Sequence, residues 1–177
     1  IRVSLLDRGY RHDVEQTSPW LLAGAKTLSY AINRAVQREA ARRGDDDVIF
    51  VSSDGIVLEG PTSTVIYRRG DALLTPGTGL GILDGTTQSN VFRYAESVGL
   101  TTAFELTTPD LLRASDAAWL VSSVRHFTPI RAIDGVIEVT PQTWFGAWYR
   151  DERNQIPAFP ARPEAFLRMY AEYQIPE

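Results

Sequence analysis

The apolar residues fall in short runs divided by polar turns, and the period of the runs changes along the chain. Residues 1–7, "IRVSLLD", read as a strand, and "RGYRHDVEQTSP" as a polar loop. From about residue 29 to 43 the spacing predicts a helix. Leu28, Ile32, Ala35, Val36 and Ala40 mark one face of it, Arg34, Arg38 and Arg42 another, and Gly44 supplies the stop. "DVIFVSS" and "IVLEG", joined by Asp54-Gly55, predict a hairpin. "TSTVIYRRG" and "ALLTP" read as further strands. The glycine-rich "PGTGLGILDG" leads into a helix over about 86–97 that Gly99 ends. "TTAFEL" is a strand, "TPDLLRAS" a short helix and "AAWLVSS" a strand. "TPIRAIDGVIEV" is a hairpin turning at Asp134-Gly135, and helical patterns return in "PQTWFGAWYRDE" and "PEAFLRMYAEY". "NQIPAFPARP" is a Pro-rich joint. Several hairpins with few helices predict an α+β fold with a largely antiparallel or barrel-like sheet, not a doubly wound parallel one.

Composition narrows the function classes. With 177 residues, 44% apolar and 23% charged, the chain has the make-up of one ordinary globular domain with a sizeable core. Net charge is −4 and the arginines are interleaved with acids, so no basic stripe points to nucleic acid. The absence of cysteine excludes a disulfide framework, a thiolate zinc site and a cysteine nucleophile. No apolar run approaches membrane length, and the first residues do not read as a signal peptide. A cytoplasmic, membrane-free protein is the expectation.

One feature of the charge is unusual. Lys26 is the only lysine, and the other 17 basic residues are arginine. A lone lysine is commonly a solvated charge. Yet arginine replaces lysine wherever only charge is wanted and fails where a deprotonatable amine is wanted. Two further features bear on that amine. Glu59 ends the apolar strand "IVLE", sharing a face with Val57. It either points to water from an edge or meets something cationic, because a carboxylate is costly to bury unpaired. The loop "GTGLGILDGTTQ" is neither a P-loop nor G-x-G-x-x-G. Its glycines either make a plain turn or present the start of a helix, at Thr86 and Thr87, as an anion site. Ser122 and Ser123 give a second polar strand end. His12 and His126 have no metal-like partner in the sequence and read as structural. An amine, a carboxylate and a phosphate-type anion site together are what pyridoxal 5′-phosphate requires.

At these residues the chain resembles the class IV aminotransferases, the fold type IV pyridoxal-phosphate enzymes, over about residues 20–135. "AKTLSYAINRA" is similar to the family's Schiff-base segment. "DVIFVSSDGIVLEGPTSTV" is similar to its strand–turn–strand ending in Glu-Gly, with Glu59 lying 33 positions after Lys26. "LLTPGTGLGILDGTTQ" and "WLVSSVRHFTPIRAIDG" are similar to its glycine loop and its last phosphate strand. The resemblance implies the larger, mixed α/β pseudo-barrel domain of such an enzyme across residues 1–177, with the family's smaller N-terminal domain missing from this chain. It implies pyridoxal phosphate held on Lys26, with Glu59 at the pyridine nitrogen, Tyr30 at the phenolic oxygen, and Thr86, Thr87, Ser122 and Ser123 around the phosphate. It implies a small amino substrate and a homodimer with shared sites. "SSVRHFTPI" departs from the transaminase pattern, and Ser-Val-Arg is more like the aminodeoxychorismate lyases. That makes Arg125 either a surface arginine or a cation for a substrate carboxylate. The expected activity is 4-amino-4-deoxychorismate lyase of folate biosynthesis. The alternatives are an amino-acid transaminase of branched-chain or D-amino-acid type, and a non-catalytic domain that keeps the fold.

Overall fold

Strand pairing divides the chain into two sheets. The structure, a computed structural model, describes residues 1–97, 99–135 and 137–138. The helical patterns expected after residue 140, and the Pro-rich joint between them, lie outside the described residues. In chain order the elements are β1 (Arg2–Asp7), α1 (Val14–Thr17), α2 (Ala31–Arg43), β2 (Asp47–Val51), β3 (Thr64–Arg69), β4 (Ala72–Pro76), α3 (Thr86–Ser97), β5 (Thr101–Glu105), α4 (Pro109–Arg113), β6 (Ala117–Ser122), β7 (His126–Ile130), β8 (Ala132–Ile133) and β9 (Ile137–Glu138). Short 3-10 turns at Pro19–Leu21 and Thr78–Leu80 flank the segment that carries Lys26 and the glycine loop.

One sheet runs β2-β1-β8-β9 and the other β5-β4-β3-β6-β7. The five-stranded sheet is mainly antiparallel, with β3–β4, β3–β6 and β6–β7 paired that way. The β1–β2, β1–β8 and β4–β5 pairs are parallel. The mixed α+β class is as expected. The parallel pairs arise because long crossovers, which carry α2 and α3, separate β1 from β2 and β4 from β5.

The pleat sorts apolar residues between cores. On β3, Ile66 faces a core with Val91, Phe92 and Ala95 of α3, while Val65 and Tyr67 face the other way. On β6, Trp119 and Val121 join the α3 core, and Ala118 and Leu120 join Val3, Ile49 and Ile133 between the sheets. On β2, Ile49 enters that middle core, while Val48 and Phe50 pack with Ala40 of α2, Leu58, Leu80 and Ile82. This strict alternation is the period-2 geometry of strands buried on both faces.

Two expectations are corrected. Part of the polar loop is helical, at α1 and at Pro19–Leu21. The apolar face of α2 is buried only toward its end: Ala40 is fully buried and Val36 packs beneath the helix, whereas Ile32 and Leu28 are exposed. Gly44 does end α2, with φ 82° and its N–H bonded to the carbonyls of Ala40 and Ala41.

Candidate active site

The arm after the Asp54-Gly55 turn does not alternate regularly. Phe50 donates its N–H to the carbonyl of Glu59 at 2.8 Å, and its own carbonyl accepts from Leu58 N–H at 2.8 Å. Two residues therefore oppose one, which is a β-bulge. The bulge breaks the alternation that linked Glu59 to Val57. Val57 enters the core between the sheets, while Leu58 packs with Leu80 and Ile82 on the other side. Glu59 follows Leu58: its Oε2 accepts the Leu83 N–H at 3.2 Å. The carboxylate thus meets the glycine loop, and its pKa is pushed up to about 7. Burial is the main cause; the Leu83 N–H and the attraction of Arg8 act in the opposite direction and do not offset it.

The same loop touches the lysine segment. A Cβ on Gly24 would lie 3.0 Å from the Ile82 carbonyl, and one on Gly81 would lie 2.9 Å from the Ala23 Cβ. Ala23 and Gly24 are therefore seated on Gly81 and Ile82, one residue from the Glu59 contact. From the other side, Asn33 on α2 donates through Nδ2 to the Pro61 carbonyl at 2.5 Å, two residues after Glu59. Lys26 and Tyr30 lie between these two attachments. Lys26 is exposed, and Tyr30, at the start of α2, is 39% exposed.

Thr86 and Thr87 open α3, as the sequence predicts; Thr86 is exposed and Thr87 is buried. The first amides of a helix have no partner within it, so this end can receive an anion. Gly85 approaches Thr64 so closely that an added Cβ would stand 2.5 Å from Thr64 Oγ1. Thr64 pairs with Val121, the residue before Ser122. The structure thus links the start of α3 to the Ser122 and Ser123 turn through Thr64. Two buried polar atoms lie in these segments without a hydrogen-bond partner, Ser63 Oγ and Gln88 Nε2.

Arg125, expected as a substrate cation, has its Nη1 on Oδ2 of Asp47. His126, the first residue of β7, adopts φ 58°. His12 Nδ1 pairs with Asp54 at 2.6 Å across the hairpin turn. Among the described residues no cluster of three or more histidine or acidic side chains is arranged to hold a metal.

The sequence reading did not single out Asn33, Asp47 or Leu83. Asn33 has a legible signal, since an amide seven residues after the lysine stands beside apolar Ile32 on a short helix. Asp47 is hidden in the run "DDD", and a backbone donor such as Leu83 leaves no mark in residue type.

The sequence pattern described as amino-transferase class IV matches residues 3–133. The chain belongs to this family. It is 47% identical over 137 residues to a Mycobacterium tuberculosis protein named bifunctional aminodeoxychorismate lyase / D-amino acid transaminase, covering 73% of this chain and 47% of that one. It is 34% identical over 114 residues to the aminodeoxychorismate lyase of Bacillus subtilis, covering 63% and 38%. Among solved structures, a fold IV transaminase from Curtobacterium pusillum superposes with TM-score 0.76 at 61% identity, over 77% of this chain and 46% of that one. The PLP-bound form of a hypothetical aminotransferase from Mycobacterium tuberculosis superposes with TM-score 0.78 at 38% identity, over 97% and 54%. The chain therefore spans about half the length of these family members or less.

The residues present fit the family's cofactor. Glu59 is a carboxylate held in an environment that raises its proton affinity, so a cation beside it would be stabilised. The start of α3 and the serine turn offer donors for a phosphate, and Gln88 Nε2 in the first turn of α3 is buried without a partner.

Proposed function

We propose that this chain binds pyridoxal phosphate and carries the chemical machinery of a 4-amino-4-deoxychorismate lyase. The observation that carries the reading is the joint attachment of the Lys26 segment and the Glu59 carboxylate to residues 81–83. Both lyase-named relatives, at 47% and 34% identity, support the choice of reaction.

In this reading Lys26 supplies the amine that holds the cofactor's aldehyde, then takes the proton from the carbon that bears the substrate's amino group; the substrate's ring aromatises as enolpyruvate leaves, and the enolpyruvate gains a proton to become pyruvate. When bound, pyridoxal phosphate supplies an electron sink for negative charge at that carbon. Glu59 holds a proton on the ring nitrogen. Its raised pKa disappears as a cost once a cation shares the site, because the pair is then satisfied. Tyr30 donates to the phenolic oxygen in this reading, a role the family resemblance suggests. Thr86, Thr87, Ser122 and Ser123 bind the phosphate, through the amides of the α3 end and through their hydroxyls.

Transamination is the second reading. The 47% identical relative is named for both activities, and the 61% identical structure is a transaminase. The two reactions share Lys26 and Glu59; the lyase expels enolpyruvate from the substrate, whereas the transaminase passes the substrate's amino group on to a keto acid. We also place the protein in the cytoplasm as a homodimer. Trp20, Leu21, Leu22, Leu28 and Ile32 are all more than half exposed around Lys26, an apolar surface that a second copy would bury. No helix among the described residues is long and apolar enough to cross a membrane.

The deciding experiment supplies the full chain with aminodeoxychorismate and no keto acid, and follows 4-aminobenzoate. A panel of D- and L-amino acids with 2-oxoglutarate or pyruvate runs beside it. Turnover in the second assay alone replaces the lyase reading with the transaminase one. Silence in both, with cofactor bound, keeps the cofactor and overturns the substrate class; silence with no cofactor absorbance leaves the non-catalytic reading.

A further inference from the structure

Asp47 opens β2 and its side chain has no exposed surface. An ionised carboxylate in that position needs hydrogen-bonded partners, above all a cation. It has two. Val48 N–H donates to Oδ1 at 2.9 Å, and Arg125 Nη1 meets Oδ2. Asp47 belongs to the four-stranded sheet, and Arg125 to the connection between β6 and β7 in the five-stranded one. One ion pair therefore bridges the two sheets.

The other atoms of Arg125 order its own turn. Its backbone N–H donates to Ser122 Oγ at 3.0 Å, and its carbonyl accepts from Thr128 Oγ1 at 3.4 Å. The next residue, His126, is held at φ 58°, a conformation that a non-glycine side chain disfavours and that surrounding contacts must maintain. Ser122 and Ser123 lie inside this turn. Val121 just before them pairs with Thr64, which in turn abuts Gly85 at the start of α3.

We propose that Arg125 is a positioning residue. Paired with Asp47, it pins the 122–125 turn to the start of β2, and with Val121 held beside Thr64 and Gly85 this orders Ser122 and Ser123 so that they and the first α3 amides converge on one phosphate. This rests on the reading of that turn and helix end as the phosphate site. It replaces direct capture of a substrate carboxylate as the role of Arg125.

The test is a double-mutant cycle in the full chain with Arg125→Ala, Asp47→Asn and the pair together. Dissociation constants are measured by absorbance titration for pyridoxal phosphate and for pyridoxal, which lacks the phosphate, along with the thermal midpoint. Each single variant is expected to weaken pyridoxal phosphate by about 10-fold or more, a loss the size of one charge-assisted contact. Pyridoxal affinity should stay near wild type. The double variant should be no worse than the weaker single, because both remove the same bridge. Arg125→Lys should restore part of the phosphate preference, and it serves as the readable variant if Arg125→Ala does not fold. A lower midpoint with an unchanged ratio of the two affinities would make the pair merely structural and overturn the proposal. So would a higher KM for a dicarboxylate substrate in Arg125→Ala with no effect of Asp47→Asn, which is the signature of direct substrate contact. If the wild-type chain binds both compounds equally, the phosphate reading fails, and that result is distinct from the other two.

Discussion

The backbone N–H of Leu83 donates to Oε2 of Glu59 at 3.2 Å, which ties the carboxylate after the β2 hairpin to the loop on which the Lys26 segment is seated. Two groups 33 positions apart in sequence are brought to a common support by main-chain atoms of a third segment. The glycines make this possible, because side chains at Gly24 and Gly81 would collide across the contact.

Without a cation beside it, Glu59 sets a pH dependence. The unfolded chain releases that proton near 4.5, while the folded chain keeps it until about 7. Between those values the folded state binds more protons, so stability falls as pH rises through the window, by ~3 kcal/mol across it. Denaturant titrations of cofactor-free protein at pH 4.5 and pH 8 should show this loss, and Glu59→Gln should flatten it. An unchanged slope in Glu59→Gln would mean that the carboxyl is solvated.

Asn33 governs how α2, the helix that follows the Lys26 segment, sits over the residues after Glu59. Asn33→Ala removes the donor to the Pro61 carbonyl and leaves a partly buried acceptor unpaired. The expected cost is ~1–3 kcal/mol in unfolding free energy, with weaker cofactor binding. Equal stability and equal binding would show that α2 is held by other contacts.

The individual strands and α2, α3 and α4 were legible, since strand and helix periods with their stops mark them directly; the division into two sheets was not, because "TPIRAIDGVIEV" reads as one hairpin while Ile130 pairs in the five-stranded sheet and Ala132 in the other. The Lys26, Glu59 and Thr86 motifs were legible too, because the residue types name the chemistry. The bulge at Leu58 and Glu59 was not. It depends on which carbonyl Phe50 shares, and "IVLEG" reads as regular alternation. That slip reversed the face assigned to Glu59. The pairing of Arg125 was equally hidden, since Asp47 lies 78 positions away and only the docking of the two sheets brings it near.

Gly85 marks where the start of α3 meets β3. Gly85→Ala would drive a methyl to 2.5 Å from the Thr64 hydroxyl, and Thr64 is nearly fully buried. Overpacking of this kind costs ~1–3 kcal/mol. Chemical denaturation should show the loss, together with a drop in affinity for pyridoxal phosphate larger than that for pyridoxal. Wild-type stability would mean that the helix end shifts freely.

The apolar residues around Lys26 should be covered in solution. Sedimentation of the full chain is expected to give a dimer, and Leu28→Glu combined with Ile32→Glu should yield monomers. A wild-type chain that sediments as a monomer at micromolar concentration would remove the homodimer from the account.

The proposed function stands or falls with Lys26 as the residue that carries the cofactor. Protein incubated with pyridoxal phosphate is reduced with borohydride, digested and mapped by mass spectrometry, with Lys26→Arg in parallel. A single pyridoxyl adduct is expected on Lys26, and none in Lys26→Arg, which keeps the charge and loses the amine. Cofactor retained without any adduct on Lys26, or an adduct at the chain's terminal amine instead, would contradict it.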